Sequence, residues 1–254
     1  MFAFFRKIRK SLLSKQNVTK YLVYAIGEII LVMIGILLAL QVNNANEQKK
    51  RDQTTHRYMQ ALIQEIDNNL DLLNYSLRNV KEDMTHFATA LEKLNGPAVF
   101  QIPDSALYKI IGNATDPPFT TPMEQSVYRD LINSGVMENI NDQEIKNSIF
   151  KMENQIQQYD KLVQSAEMTF KELIMEYQIQ NYVISKHRDS LGHVALPRLD
   201  FEMNKQAYVN NAVFSNQLKG KLLLYNNLAR YIERMMQRFS DVRDQLSKIY
   251  KDDD

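Results

Sequence analysis

Three side chains close together in the chain are of types that bind metals or assist phosphate transfer. His187, Asp189 and His193 lie within seven residues of one another. The string His-Arg-Asp at 187–189 resembles a protein-kinase catalytic loop, but that loop needs an asparagine where this chain has Val194, and there is no glycine-rich phosphate loop. Metal binding on a helix needs a histidine pair at i and i+4 or an H-E-x-x-H motif, and neither occurs here. We therefore expect neither kinase activity nor a metal site at these residues.

Other reactive groups are scarce. The chain has no cysteine, which excludes disulfides, thiolate metal sites and a cysteine nucleophile. It also lacks the G-x-S-x-G motif of serine hydrolases. His56 and His86 fall within helical patterns, where histidines are ordinarily structural or solvated. We therefore predict a protein that is not an enzyme and that uses no cofactor.

One carboxylate lies in an otherwise apolar stretch. Residues 21–42, YLVYAIGEIILVMIGILLALQV, contain Glu28 as their single ionisable side chain. At about 1.5 Å per residue, a helix of this length spans the ~30 Å hydrocarbon core of a bilayer. We predict one transmembrane helix at 21–42, because a helix satisfies its own backbone hydrogen bonds in lipid. We interpret it as an uncleaved signal anchor, since the apolar run is long and no A-x-A cleavage site accompanies it.

Glu28 suggests a contact inside the membrane, because an unpaired carboxylate facing lipid is costly. Gly35 and Ala39 continue the same helix face as a small-xxx-small pair that allows close approach of a second helix. We predict that Glu28, Gly35 and Ala39 mediate association with a second copy or with another membrane protein. The alternative is a protonated Glu28, or one that reaches the headgroups, in a helix where Gly and Ala are simply common.

Basic residues are concentrated before the apolar stretch. Residues 1–20 hold six Lys or Arg and no acid, so the positive-inside rule predicts a cytoplasmic N-terminus and a periplasmic C-terminal domain at a bacterial inner membrane. If the tail is helical, its cations would bind anionic lipid; the alternative is a disordered tail that only sets topology. The residues predicted to contact the membrane interface are Arg6, Lys7, Arg9, Lys10, Tyr21 and Tyr24.

Residues 43–254 are predicted to form one helical domain. This part has a net charge of about −4 and no basic stripe along its sequence, so nucleic-acid binding is not expected. Apolar residues recur at alternating spacings of four and three, and this 3.5-residue period predicts coiled-coil-like helices. Long helices are predicted at about 43–94, 142–187 and 204–250, a short helix at about 122–134, and a proline-rich connector at 95–121.

The predicted fold class is all-α, with one N-terminal transmembrane helix followed by an antiparallel, coiled-coil-like helical bundle. Packing the three apolar seams against one another buries them within one chain. The alternative is that at least one seam pairs with another chain. The predicted seams include Met59, Ile63, Ile66, Leu70, Leu73, Leu77, Val80, Met84, Phe87, Leu91 and Leu94 in the first helix, Ile145 through Phe170, Leu173 and Tyr177 in the second, and Leu218 through Tyr250 in the third.

Capping signals predict where the shorter elements start and stop. Thr121 followed by Pro122 and Glu124 is a well-formed helix start. Gly135 suits the left-handed residue that follows a helix ending near Ser134. A further start signal lies at 141–144.

The string YAIGEIILVMIGILLALQVNNANE at 24–47 resembles the N-terminal signature of a family of uncharacterised Bacteroidetes membrane proteins, GEI-x-LV-x-IGI-x-x-AL-x-NN-x-NE. The resemblance covers residues 2–47 closely and residues 120–149 more loosely. Ala45 stands where the family has tryptophan. The resemblance implies a membrane location and no catalytic residues.

These observations predict a non-enzymatic, membrane-anchored scaffold or docking protein. The alternative is a sensory or ligand-binding bundle that acts through a separate partner. A buried cluster of polar groups with shifted pKa values would favour the alternative or an enzyme, whereas an apolar stripe on the surface would favour a scaffold.

Overall fold

The computed structural model describes residues 18–117, 120–181, 190–191, 194–195 and 203–250. The chain divides into two compact units, Met1–Arg57 and Tyr58–Asp254. Helix α1, Val18–Lys93, is a single 76-residue helix that contributes residues to both units. The fold is all-α, as the sequence predicts.

The apolar segment of the first unit is exposed. Helix α1 is the one helix in the described part of the chain that is long and apolar enough to cross a membrane, and its most apolar window has a mean hydropathy of 2.6 with no residue buried. Leu31 and Val23 expose 65% and 67% of their surfaces. Exposed apolar surface is unfavourable in water and favourable in lipid. The segment is therefore compatible with a single-pass membrane protein.

Among the described residues of the second unit, five further helices follow its share of α1. The helices are α2 (Asp104–Thr115), α3 (Ser126–Asn133), α4 (Gln143–Thr169), α5 (Glu176–Asn181) and α6 (Ala212–Ile249). Short 3-10 turns lie at Pro97–Gln101, Val136–Asn139 and Lys205–Ala207. Two short antiparallel strands, β1 (Ser190–Leu191) and β2 (Val194–Ala195), pair with Ser190 opposite Ala195.

Contacts along α6 establish the directions of the long helices. The start of α6 lies at the end of α1, where Asn210 N donates to Leu94 O at 2.8 Å, and Glu233 further along pairs with Lys81 at 2.7 Å. Gln217, near the start of α6, donates at 3.0 Å to the carbonyl oxygen of Leu173, which lies just after the end of α4. Helix α6 therefore runs antiparallel to both α1 and α4. Helices α1 and α4 run in the same direction, because the intervening connector returns the chain to the start of the bundle.

The predicted seam of α1 faces the core of the second unit. Its members are alternately buried and partly buried, as expected when every second position points directly at the partner helices. The seams of the three long helices pack against one another within the chain. The buried members are Met59, Ile66, Leu73, Val80 and Phe87 on α1, and Leu94 directly after its end.

The second seam changes register near its end. Residues Phe170–Met175 form a π-helical turn between α4 and α5. The extra residue in such a turn rotates the following side chains by about 100° relative to an uninterrupted helix. Ile174 is consequently 1% exposed and Leu173 is 47% exposed. The prediction that Leu173 belongs to the seam is therefore wrong.

Helix α3 begins at Ser126, four residues later than the local capping signal at Pro122 predicts. Its first N–H groups are capped from α1: the Glu65 carboxylate accepts from Val127 N at 2.7 Å and from Tyr128 N at 3.1 Å. Ser126 Oγ also donates to Glu65 at 3.1 Å. A buried carboxylate that accepts several N–H groups at a helix start is well satisfied.

Two more polar side chains of α1 bond to the segment before α3, which is not helical. Asn69 accepts from Glu124 N at 2.8 Å and donates to Glu124 O at 2.9 Å. Ser76 Oγ accepts from Thr121 N at 3.2 Å. Thr121 is thus bonded to α1 and does not cap a helix at Pro122. Contacts from a helix far away in sequence override the local signal.

Two other signals, for the end of α3 and the start of α4, agree with the structure. Gly135 adopts a left-handed φ of 74° directly after α3. Asp142 caps α4, since its carboxylate accepts from Glu144 N at 2.8 Å and from Ile145 N at 3.2 Å. Asn211 caps α6.

Candidate functional site

A groove between α4 and α6 is the first candidate site. Its volume is about 1020 Å³, at the upper end of the roughly 300–1,000 Å³ of small-molecule pockets. Leu162, Tyr231 and Met235 supply the apolar part of its lining. Tyr231 Oη donates to Gln155 O at 3.0 Å and so ties α6 to α4. The groove therefore has an apolar base held in place by a hydrogen bond between its two helices.

Cationic side chains line both sides of this groove. Arg230, Arg234 and Arg238 follow one another at four-residue spacing on α6, and Lys161 lies on α4. Four residues of an α-helix rise about 6 Å along the helix axis. The backbone positions of Arg230 and Arg238 are therefore about 12 Å apart along α6, with Arg234 midway between them. All four cationic side chains are exposed. One acid, Glu233, also lines the groove.

These cations bond to neutral groups. Arg230 donates to Asn227 at 2.6 Å, and Arg234 Nε donates to Arg230 O at 3.2 Å. Arg238 donates to the side-chain oxygen of Gln155 at 2.5 Å, in the amide orientation that satisfies both groups. Within the described residues, none of the three arginines forms an ion pair.

The acid that lines the groove, Glu233, already forms an ion pair with a residue outside the groove. Glu233 pairs with Lys81 of α1 at 2.7 Å, and Lys161 has no carboxylate partner in the described part of the chain. Like charges at i and i+4 on a helix each cost about 0.2–0.5 kcal/mol. An anion in the groove would relieve this repulsion, and arginine binds carboxylates and phosphates through paired hydrogen bonds. The arrangement is suited to holding a ligand with several negative charges.

The second candidate site is a buried lysine. Lys221 of α6 is 1% exposed, and its Nζ donates to Ala114 O and Asp116 O at 3.3 Å each. The ammonium also lies 4.4 Å from the ring centroid of Phe87 and 5.8 Å from that of Tyr225. Backbone carbonyls and aromatic faces thus replace the water that a lysine normally holds.

The pKa values of this cluster are shifted in the directions that burial dictates. Burial lowers the pKa of Lys221 to about 8, although Asp83 and Asp116 act in the opposite sense. Burial raises the pKa of Asp83 to about 6, against the opposing charge of Lys221. The pKa of Tyr225 is also raised, by burial and by Asp83. This is a buried polar cluster of the kind that the sequence analysis associates with ligand binding.

Sequence reasoning missed both sites. The sequence contains one indication of the groove. Arg230, Arg234 and Arg238 stand at i, i+4 and i+8 in a predicted helix, which places them on neighbouring turns of one face. The sequence could not show that none of these arginines forms an ion pair within the described residues. Lys221 falls next to Leu222 of the predicted seam and looks like a solvated flank.

The residues predicted to act in the membrane lie on the first unit. Glu28, Gly35 and Ala39 lie in α1 and are exposed, and a Cβ atom added at Gly35 would meet nothing within 4 Å. The face is therefore open to a second helix, and its role in association stays a prediction. Tyr21 and Tyr24 are part of the same helix. The tail cations Arg6, Lys7, Arg9 and Lys10 lie outside the described residues.

The histidines near residue 190 also lie outside the described residues. Residues 187, 189 and 193 do not belong to the described part of the chain. Among the described residues, no group of three or more His, Asp or Glu side chains could hold a metal ion.

Comparison with known proteins gives one match. The model of a family of unknown function, DUF6090, matches residues 28–184. No curated protein and no solved structure matches the chain.

Proposed function

The chain belongs to DUF6090, a family of unknown function, and we propose that it is a non-catalytic docking protein anchored in a membrane by one helix. The observation that carries this proposal is the α4–α6 groove, where Arg230, Arg234 and Arg238 line one side without acidic partners among the described residues. Arginine, glutamine and asparagine side chains bind anions but do not exchange protons near neutral pH. Glu233, the acid in the lining, is paired with Lys81, so the arginines and amides of the groove remain as groups that can bind an anion.

The proposed location is the inner membrane of a bacterium, with the helical domain in the periplasm. The exposed apolar face of α1 supports the anchor. The six basic residues before it support the orientation, and the likeness of residues 24–47 to Bacteroidetes membrane proteins supports the bacterial source. Alkaline phosphatase fused after Asp254 should be active. A fusion that works only with a cytoplasmic reporter would reverse the orientation.

Site-specific photo-cross-linking in native membranes tests the docking role. A photoreactive side chain at Gln158, which lines the groove, should capture a partner. The matched control is Gln164, an exposed residue of α4 that does not line the groove. Capture from Gln158 should weaken strongly in the Arg234→Glu variant, because the charge of the groove is then reduced by two. Equal capture from both positions would count against docking at this groove.

The second candidate function is a ligand-binding bundle that signals through another protein. The buried Lys221 cluster favours it, because shifted pKa values gather at functional sites as well as at structural ones. Lys221→Met keeps most of the side-chain volume and removes the charge. If partner capture from Gln158 is unchanged in this variant, Lys221 has a structural role and the docking function stands by itself.

Association within the membrane is part of the proposal. Glu28, Gly35 and Ala39 are proposed to contact a second copy or another membrane protein. Glu28→Gln removes the charge but keeps hydrogen bonding, and Gly35→Leu blocks close approach. Cross-linked complexes at undiminished yield in both variants would leave the helix with an anchoring role alone.

A further inference from the structure

We propose that the α4–α6 groove binds an amphipathic helix of a separate protein, with carboxylates at four-residue spacing beside an apolar stripe. This inference rests on the docking function proposed above and names the partner's chemistry. It follows from three features of the groove, namely the spacing of its cations, its apolar base and the two helices that border it.

The spacing of the cations matches that of a helix. Arg230, Arg234 and Arg238 are separated by four residues each, or about 6 Å of rise. A partner helix with Glu or Asp at every fourth position repeats at the same distance, so that each carboxylate faces one guanidinium over the whole row. An extended strand repeats on one face at about 6.8 Å and falls out of step along the row.

The apolar base distinguishes a helix from a small anion. Leu162 and Tyr231 are partly buried at the base of the groove, and Met235 is 1% exposed there. Inorganic phosphates gain nothing from such a surface, whereas the apolar stripe of an amphipathic helix is stabilised by it. Acidic residues beside an apolar stripe would then face cations on the rim, as the flanking charges of coiled coils do.

Helices α4 and α6 form the two sides of the groove. They are antiparallel and joined across the base of the groove by the hydrogen bond from Tyr231 Oη to Gln155 O at 3.0 Å. A helix that lies between two antiparallel helices extends the bundle by ordinary ridge-into-groove packing. Lys161 on α4 and the arginines on α6 would contact it from both sides.

The test uses the full chain in phosphatidylcholine nanodiscs and a fluorescent helical peptide of about 20 residues. The peptide carries glutamate at every fourth position beside a leucine stripe, and its matched control has glutamine in place of each glutamate. The glutamate peptide should bind at least about tenfold more tightly than the control, since one charge-assisted hydrogen bond is worth about a factor of ten. Equal binding of the two peptides would overturn the inference.

Variants of the groove make the test specific. Arg234→Glu and Arg238→Glu should each weaken binding of the glutamate peptide by about tenfold or more, and a lysine peptide should bind the double variant. Arg129→Glu, an exposed change on α3, should leave the affinity unchanged. Helix content by circular dichroism should be the same in all variants. Arg234→Gln serves as the milder change if a reversal disturbs folding.

Two further outcomes identify other occupants. If inorganic triphosphate displaces the peptide as effectively as unlabelled peptide does, the groove takes small polyanions and the inference is wrong. If light scattering shows an oligomer that Arg234→Glu dissociates, the occupant is a second copy, which also overturns it. Charge-independent peptide binding combined with capture from Gln158 would refute the acidic helix and leave the docking function intact. If peptide binding does not depend on charge and Gln158 also captures no partner, both the acidic helix and the docking function are refuted.

Discussion

Helix α6 places cations in two opposite environments, the exposed groove with its arginine row and the buried pocket of Lys221. In the groove, three arginines are exposed to solvent and form no ion pair within the described residues. In the pocket, one lysine is enclosed by carbonyl oxygens and rings. The comparison teaches that one helix can bury a cation within the fold and leave others accessible to solvent. The Lys221 ammonium is held by carbonyl oxygens and rings of the fold, while the groove arginines bond neutral groups and stay accessible to solvent.

The largest expected effect lies at the buried pocket. Phe87 is 1% exposed, packs edge-on against Tyr225 with ring centroids 4.9 Å apart, and covers the Lys221 ammonium. Phe87→Ala should lower the free energy of unfolding by about 3–5 kcal/mol, since the cavity and the lost ring contacts add. Urea denaturation followed by circular dichroism on the full chain in detergent measures it. Leu223→Ala, at a position of α6 that is 68% exposed, is the control and should change little.

The next effect is the pH dependence of stability that the pocket imposes. The pKa of Lys221 falls from 10.5 to about 8 on folding, so between these pH values the unfolded chain binds more protons and stability rises with pH. The rise should be on the order of 3 kcal/mol. The pKa of Asp83 is raised from 3.8 to about 6, so stability should fall as pH rises towards 6. These two groups together predict a minimum between about pH 6 and 8.

Lys221→Met separates the two limbs of this pH profile. It should abolish the alkaline rise and extend the acid limb to higher pH, because the charge of Lys221 holds the pKa of Asp83 down. Denaturation midpoints measured across this pH range provide the check. An alkaline rise that persists in Lys221→Met would show that the buried lysine is not its source, and the contrast between pocket and groove would lose its electrostatic basis.

The smallest effect belongs to the groove. Arg234→Gln removes the charge repulsion of this position with Arg230 and with Arg238. The free energy of unfolding should therefore rise by about 0.5 kcal/mol at low salt. The gain should shrink as salt is added, because exposed charges are screened. Arg129→Gln on α3 is the matched control. A loss of more than about 1 kcal/mol in Arg234→Gln would show that the arginine row is structural, and would remove the distinction between the two regions.

A good part of the fold could be predicted from the sequence. The apolar run at 21–42 and the 3.5-residue periods are local patterns, and local patterns determine where long helices form and which face is apolar. Gly135 was predictable for the same reason, because a left-handed residue after a helix favours glycine wherever the helix lies. The all-α class follows from these signals together.

The tertiary structure decided the rest. The start of α3 depends on Glu65, which comes from a helix some 60 residues earlier, and the burial of Ile174 in place of Leu173 depends on one π-helical turn. The groove exists because α6 lies beside α4, and the charge of Lys221 is tolerated because Ala114 and Asp116 turn their carbonyls towards it. Each of these depends on which distant residues meet. A periodic pattern specifies the face of a helix, but the partners of that face are fixed only when the helices pack.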